Sequence, residues 1–570
     1  MLLLALLLGC AASCDSPKGA APSASAPVVD LSPVPAPAGL VGELYVQDPG
    51  RTWKELRDAA NIALLPQHYG VLLTTVLGLP PLLADAFDDG AMTTGAATLD
   101  GSGRLQAVVG ARVTSGRELV ARLTTGSKAS HDEARDASGM TLLKPKPGKA
   151  SAEISLAVLG NVLLVAQSED ALRDAGPYVA RTLPTKKPPA PGAVLVVPKE
   201  ALRGALAKEV RARWKRVEAS LAAKDRENRA KHGGRAPDFG DPAAALSVMS
   251  GSVGDWVKML EEVESAQVQL AGKGDSIQLR LTVDPGASKP LSEWISGLSL
   301  GDARPLLALP RRSALGVLTR STEEQRGASA KSTAAALGRL FGDRLKAPEQ
   351  EKIEAALGDL ARARGDEALF GLSLGATQGV VFRGPAGDRK AFDSAMKGMV
   401  GLLRMNAFRE PLRQFVGDYD LKQSTTKIVG LDAPVQRVLL SVKPSAMRRA
   451  KDPQGELPAT PQPVEALWTQ NAEHTYGALA VDAPPLLIDL VAGEANKTWE
   501  TVPGLATRLD KLGNQAGFFV VVRPAPLLGQ DLLDAPGVVS LSAGRAGTQA
   551  VVDLSVDQAA LAVIAQKAMR

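Results

Sequence analysis

Short apolar runs, broken by Gly-containing turns and alternating with stretches of helical period, recur along the whole chain. Thr94 to Leu99, the turn Asp100-Gly101-Ser102-Gly103, Leu105 to Val113 and then Gly116 to Leu123 predict strand, tight turn, strand and helix. The same order is written again by Ala368 to Leu374, Gly375-Ala376-Thr377, Gly379 to Phe382 and Asp388 to Val400. A second hairpin and helix is expected from Glu153 to Leu159, the Gly160-Asn161 turn, Val162 to Gln167 and Glu169 to Val179, with a less clear counterpart at Lys427 to Val442. A lone strand and helix, Gly192 to Val197 with Lys199 to Lys208, is matched with Tyr476 to Val481 and Pro484 to Leu490.

Each half then closes on a hairpin whose second strand reads LRLTVD, ending at Asp284, or VDLSVD, ending at Asp557, and each hairpin feeds a helix, Pro290 to Leu298 or Gln558 to Met569. The spacings agree: 557 minus 284 is 273, 368 minus 94 is 274, and 476 minus 192 is 284. One order kept at one spacing over four elements predicts an internal duplication. Ile277, Leu279 and Leu281 alternate with Gln278, Arg280 and Thr282, so one face of these strands is expected to be buried and the other wet. The expected class is α+β: two similar lobes of antiparallel sheets covered by helices.

The N-terminus carries a different pattern. Leu2 to Leu8 is too short to cross roughly 30 Å of hydrocarbon, and it ends in small residues, as a secretion signal does, although no Lys or Arg precedes it. The chain's two cysteines, Cys10 and Cys14, each follow a small-residue box of the kind cut by lipoprotein signal peptidase. Cys10 is the expected acylation site, with Leu7 three residues before it and Gly9 just before it, and Cys14 is the alternative. Residues 16–39 are rich in Pro, Ala and Ser, too poor in apolar surface to fold, and read as a tether of about 3 Å per residue. The expected organisation is a signal peptide over 1–14, a disordered tether over 15–39, a first lobe over 40–298 with a basic helical insertion at 199–235, and a second lobe over 299–570.

Composition refines this only slightly. With 45% hydrophobic and 22% charged residues the chain can build several packed cores, and no later apolar run is long enough to span a bilayer. The formal charge of +5, from 66 basic and 61 acidic residues, is small, and most of the excess gathers between Arg203 and Arg235. There Leu202, Leu206, Val210, Trp214, Val217 and Leu221 form a narrow apolar stripe on one long helix, and eleven basic residues face four acidic ones. Arg211, Lys215 and Arg216 are the expected contacts to an anionic surface; a solvated helix lying across its own lobe is the plainer alternative. Nucleic acid is not expected, because Trp214 is the segment's one aromatic and it lies within the apolar stripe.

Catalytic patterns fail on context. Ser299 and Ser373 sit in G-x-S-x-G strings, but Ser299 follows a helix and Ser373 lies within a strand, so neither forms a nucleophile elbow. Ser424 to Lys427 matches S-x-x-K without its partner motifs and reads as a strand edge. His68, His131, His232 and His474 lack ligand partners at metal-binding spacing, and no phosphate-binding loop is present. Asp88-Asp89, Glu261-Glu262 and Glu323-Glu324 read as solvated surface. No enzyme activity, metal or cofactor is expected.

Strings such as LAVLGNVLLVAQSEDAL (residues 156–172) resemble a group of uncharacterised bacterial envelope lipoproteins built from repeated hairpin-helix units behind a signal or anchor. The resemblance covers most of residues 40–568 and implies a fold and an address, but no activity. The expectation is therefore a non-enzymatic, lipid-anchored envelope protein that presents a binding or scaffolding surface, with the membrane reached through its lipid and an envelope protein or anionic surface as partner. The alternative is a carrier or sensor of an apolar ligand such as lipid, with Leu64 to Leu83 as an apolar cover.

Overall fold

The protein is described by a computed structural model, which covers residues 30–568 apart from 63–64, 127–128, 137, 147–153, 232–241, 342–344, 375–377, 417, 443–461, 494–497 and 529–536. Two compact units emerge: residues up to 210 with Leu260–Ser288, and Arg211–Met259 with Lys289 onwards. The division falls at 288 rather than the expected 298, and most of the basic helix groups with the second unit.

The first unit is one antiparallel sheet of β1 (Leu40–Val46), β2 (Thr93–Leu99), β3 (Leu105–Arg112), β4 (His131–Arg135), β5 (Thr141–Pro145), β6 (Ser155–Leu159), β7 (Val162–Ala166), β8 (Ala193–Pro198), β9 (Ser265–Lys273) and β10 (Ser276–Asp284). Pairing runs β4-β5-β6-β7-β3-β2-β1-β8-β9-β10. Helices cover both faces. Leu119 and Leu123 of α3 (Gly116–Thr124), with Leu77, Leu83 and Phe87, pack on Leu156, Val158 and Leu163; Leu172 and Ala175 of α4 (Glu169–Pro177), with Tyr178 and Leu183, pack on Ala157, Leu159 and Leu164. The reason is legible in β6 and β7, whose apolar runs do not alternate and so fill both sides of the sheet. The expectation of one wet face fails here, and Leu279 of β10, expected inside, is exposed. The segment Leu64 to Leu83, expected as a cover, contains α2 (Tyr69–Val76) and the start of a short 3-10 turn (Pro81–Ala86), seated in that core, while Leu64 lies outside the described residues; α1 (Pro49–Ala60) precedes them.

The expected tether also changes. Val34 N–H donates to Thr182 Oγ1 at 2.8 Å, and the Thr182 hydroxyl donates back to Val34 O at 2.7 Å, so the chain is held on the unit before β1 begins. Residues 1–29, with the leader, Cys10 and Cys14, lie outside the described residues.

The second unit is a ten-stranded antiparallel sheet of β11 (Ser313–Arg320), β12 (Glu367–Ser373), β13 (Gly379–Pro385), β14 (Tyr419–Thr426), β15 (Val435–Val442), β16 (Val464–Gln470), β17 (His474–Ala480), β18 (Ala516–Val522), β19 (Val539–Ala546) and β20 (Gln549–Asp557). Pairing runs β14-β15-β16-β17-β13-β12-β11-β18-β19-β20. Trp499 and the Leu486, Leu490 and Leu505 side chains cover one face, while Phe392 and Ala395 pack with Val438 and Trp468 on the other. The strand at Tyr476 was expected to answer the one at Gly192. It pairs instead with β13 and β16, whereas β18, between β11 and β19, occupies the position that β8 holds between β1 and β9.

Residues Ala207–Lys231 form α5, as expected, but a second helix, α6 (Pro242–Glu262), was not read from the sequence. Trp214 Nε1 donates to Ser250 Oγ at 3.1 Å, and Ser250 also bonds to Glu218, so α5 and α6 lie side by side. His232 and Arg235 lie outside the described residues. The fold is mixed α+β.

Candidate functional site

Arg211, Lys215 and Arg216 are all exposed on α5. They do not share one face. At roughly 100° per residue, Arg211 and Lys215 lie to one side of the line joining Trp214 and Glu218, whereas Arg216 points away from α6. The apolar stripe on the same helix is incompletely covered, since Val217 and Leu221 are exposed.

The other residues singled out from sequence are dispersed. Ser299 lies beyond α7 (Lys289–Gly297), and Ser373 ends β12 buried, its hydroxyl 3.2 Å from that of Ser313. Ser424 lies in β14 and Lys427 just past it. His131 is on β4, its Nδ1 2.8 Å from Ser130 Oγ, and burial lowers its pKa. Arg383 donates to His474 Nε2 at 2.8 Å; burial, then the Arg383 charge, keep this imidazole neutral to lower pH than usual. No group of three or more His, Cys, Asp or Glu side chains is placed to hold a metal among the described residues.

The most densely built polar cluster was not anticipated. On β1, Glu43 and Tyr45 share the face turned to the core, so a carboxylate enters apolar packing. Tyr178 OH donates to Glu43 Oε1 at 2.6 Å, Lys186 Nζ to the same oxygen at 2.8 Å, and Tyr45 OH to Oε2 at 2.5 Å. Lys186 Nζ also donates to the Tyr178 oxygen at 2.9 Å. A wide helical turn over Tyr178–Thr182, directly after α4, brings Tyr178 over the strand. Burial raises the carboxyl pKa, but the bonds from Lys186, Tyr178 and Tyr45 outweigh it and hold Glu43 below the usual range. Burial, then the Glu43 carboxylate, push the Tyr45 and Tyr178 hydroxyls upward. Both carboxylate oxygens are engaged. The cluster ties β1 to the turn after α4 and holds a charge in place.

Gly316 on β11 lies three residues after Ser313, where that strand breaks register before Leu315, as Glu43 lies three after Leu40, where β1 breaks register before Gly42. A Cβ on Gly316 would meet Leu309 at 2.6 Å and Trp499 at 2.8 Å, so apolar side chains fill the space above this glycine. The buried Arg523 guanidinium lies 5.7 Å from the Trp499 ring centroid and donates to Arg311 O at 2.7 Å. Desolvation, with Arg311 adding to it, lowers the Arg523 pKa to about 10.

Two open clefts lie in the second unit. One of about 750 Å³ lies between α8 (Glu323–Phe341) and α9 (Ala347–Ala363), floored by small residues and rimmed by Glu323, Glu324, Glu351, Glu354, Lys331 and Arg362. The other, of about 490 Å³, is bounded by Gly387, Arg389, Gln470 and Asn471. Gln470 Oε1 is buried there with no hydrogen-bond partner, while its Nε2 donates to Gly387 O at 2.7 Å.

A scan against protein-family models and a search of the curated proteins find no match. Among solved structures, one described as crystal form III of TP0453 is similar at 9% identity over 49% of this chain and 90% of that one, with a TM-score of 0.21. A likeness this low carries no argument about what the chain does.

Proposed function

We propose that this chain is a cell-envelope lipoprotein, held by an acylated N-terminal cysteine, whose body is an internally duplicated pair of α+β lobes that serves as a binding or scaffolding surface and not as an enzyme. The duplication is supported by the strand order, which is the same in both units when ten is added to each strand number. It is supported again by spacing. The register breaks at Leu40 and Ser313, the helix caps Ser115 and Asp388, and the hairpin pairs Val283 with Ala266 and Val556 with Val539 all recur at 273 residues, as in 313 minus 40.

The observation that carries the binding-surface reading is the state of the buried polar groups. Glu43 has both oxygens engaged, and Arg523 is stacked on Trp499, so the charges inside the units brace strands and helices. The carrier reading draws no support from the two clefts, which are open and rimmed by charged or polar side chains.

Expression of the full chain in a bacterial host, with mass spectrometry of the mature N-terminus, tests the anchor. Acyl chains on Cys10, lost on Cys10→Ala, are expected. Acylation at Cys14 instead corrects the site. An unmodified terminus beyond residue 14 overturns the lipoprotein reading.

A further inference from the structure

The helix pair α5 and α6 carries a surface that the basic stripe alone did not reveal. Trp214, Glu218 and Ser250 fix which sides of the two helices face each other. At roughly 100° per residue, Val217 then projects to one flank of α5. Met249 and Trp256, seven residues apart, share one line along α6. Pro198, just before the helical run that leads into α5, pairs with Ser265, just after α6, so the two right-handed helices run in opposite directions and Val217, Met249 and Trp256 lean toward the same flank of the pair. All three are exposed, at 44%, 49% and 65%.

The same construction places Arg213 and Lys224 beside Val217 and places none of Glu218, Asp225, Glu227 or Asp255 on that flank. Glu218 and Asp225 face α6, and Glu227 and Asp255 turn outward. The opposite flank holds Arg211, Lys215 and Lys258 around Gly251 and Gly254, with Glu262 at its end and no large apolar side chain among the described residues. One flank of the helix pair is thus apolar with a basic margin, and the other is charged without an apolar strip.

We propose that the Val217, Met249 and Trp256 flank lies in the headgroup region of an anionic lipid bilayer. The chemistry favours lipid as the occupant. An indole with an apolar body and one N–H donor suits the boundary between acyl chains and water, and Arg213 and Lys224 have stems long enough to lie along the apolar strip while their charges reach phosphates. Two antiparallel helices side by side offer this strip as a band instead of a pocket, as an in-plane amphipathic segment does. The proposal rests on the envelope reading above and names the surface that the body contacts.

The test mixes the full chain with vesicles of phosphatidylglycerol and phosphatidylethanolamine carrying brominated acyl chains and measures tryptophan quenching. Quenching should appear with these vesicles and fall sharply in Trp256→Phe, which keeps the chain's other five tryptophans. Arg213→Glu with Lys224→Glu should weaken vesicle affinity by at least about tenfold, whereas Arg211→Glu with Lys215→Glu should leave the Trp256 signal in place. Equal quenching in the parent and Trp256→Phe overturns the proposal, and so does a loss of binding confined to the Arg211 and Lys215 variant. Binding that persists unchanged on phosphatidylcholine vesicles removes the anionic part. A mass spectrum of the same preparation separates the two readings: an unacylated chain whose Trp256 is quenched sinks the anchor and keeps the flank, and an acylated chain whose Trp256 is not quenched does the reverse.

Discussion

Replacing Glu43 by Gln keeps the shape of the side chain and removes its charge, so it isolates what the carboxylate does in the first unit. Three donors converge on it, from Tyr45, Tyr178 and Lys186. Hydrogen bonds to a charged group are worth about 1.5–3 kcal/mol each, and the Lys186 contribution is discounted because that side chain is 41% exposed. The amide still accepts at one oxygen but presents N–H groups to a hydroxyl or an ammonium. The expected cost is about 3 kcal/mol, which at roughly 2–4 °C per kcal/mol lowers the melting temperature of this unit by ~6–12 °C. Hydrogen exchange should locate the loss in β1 and β8, with β11 and β18 unchanged. The pH dependence has a definite sign. Glu43 is held below the ordinary carboxylate range, so its stabilisation is complete above that range and disappears as pH falls through the lowered value. The gap between parent and Glu43→Gln should therefore close as pH falls through that lowered value. A cycle with Tyr178→Phe should show a coupling of at least about 1 kcal/mol. Melting within 1 °C of the parent at pH 7, or a gap that widens in acid, would refute the reasoning.

The second unit yields two further tests. Gly316→Leu drives a side chain into Leu309 and Trp499 and should cost about 1–3 kcal/mol, read by thermal melting with exchange rising in β11 and not in β1. Arg523→Met keeps most of the volume beneath Trp499 and should be tolerated better than Arg523→Ala by about 2 kcal/mol, because the alanine also leaves a cavity. Arg523 titrates near 10 in the folded protein, below its unfolded value, so the parent should gain stability relative to Arg523→Met as pH rises past 10, measured by chemical denaturation.

The sequence made hairpins legible wherever two apolar runs flank a Gly-containing turn, as at β9–β10 and β19–β20, because turn and alternation are local signals. It misled about neighbours. The strand at Tyr476 looks like the strand at Gly192 in composition, yet the edges each strand pairs with are set by the connections on either side, which no short string records. Strand β4, HDEAR, is hidden in the sequence because it is polar and largely exposed, and of β14, YDLKQSTT, only the end at Ser424 reads as a strand edge. Helix α6 was hidden by Ser247, Ser250, Gly251, Ser252 and Gly254, residues that read as loop until packing against Trp214 supplies what propensity lacks.

The Glu43 cluster had a signal that parity exposes. In LVGELYV the residues at 43 and 45 point one way, so a Glu beside a Tyr on that side must either break the strand or find partners. It finds them in Tyr178 and Lys186, more than a hundred residues away, which is why strand reading alone could not name them. The position three residues beyond the other register break holds Gly316, and there an indole from a distant turn supplies the volume. Main-chain pairing sets the order of ten strands in each unit, and that pairing is indifferent to which side chain fills the centre. The centre can therefore be a charged network in one unit and a buried Trp499 in the other without altering the sheet. In the proposed duplication, this is the kind of position at which two copies diverge while the strand order persists, whereas the exposed flank at Trp256 has no counterpart in the order of strands and owes nothing to either core.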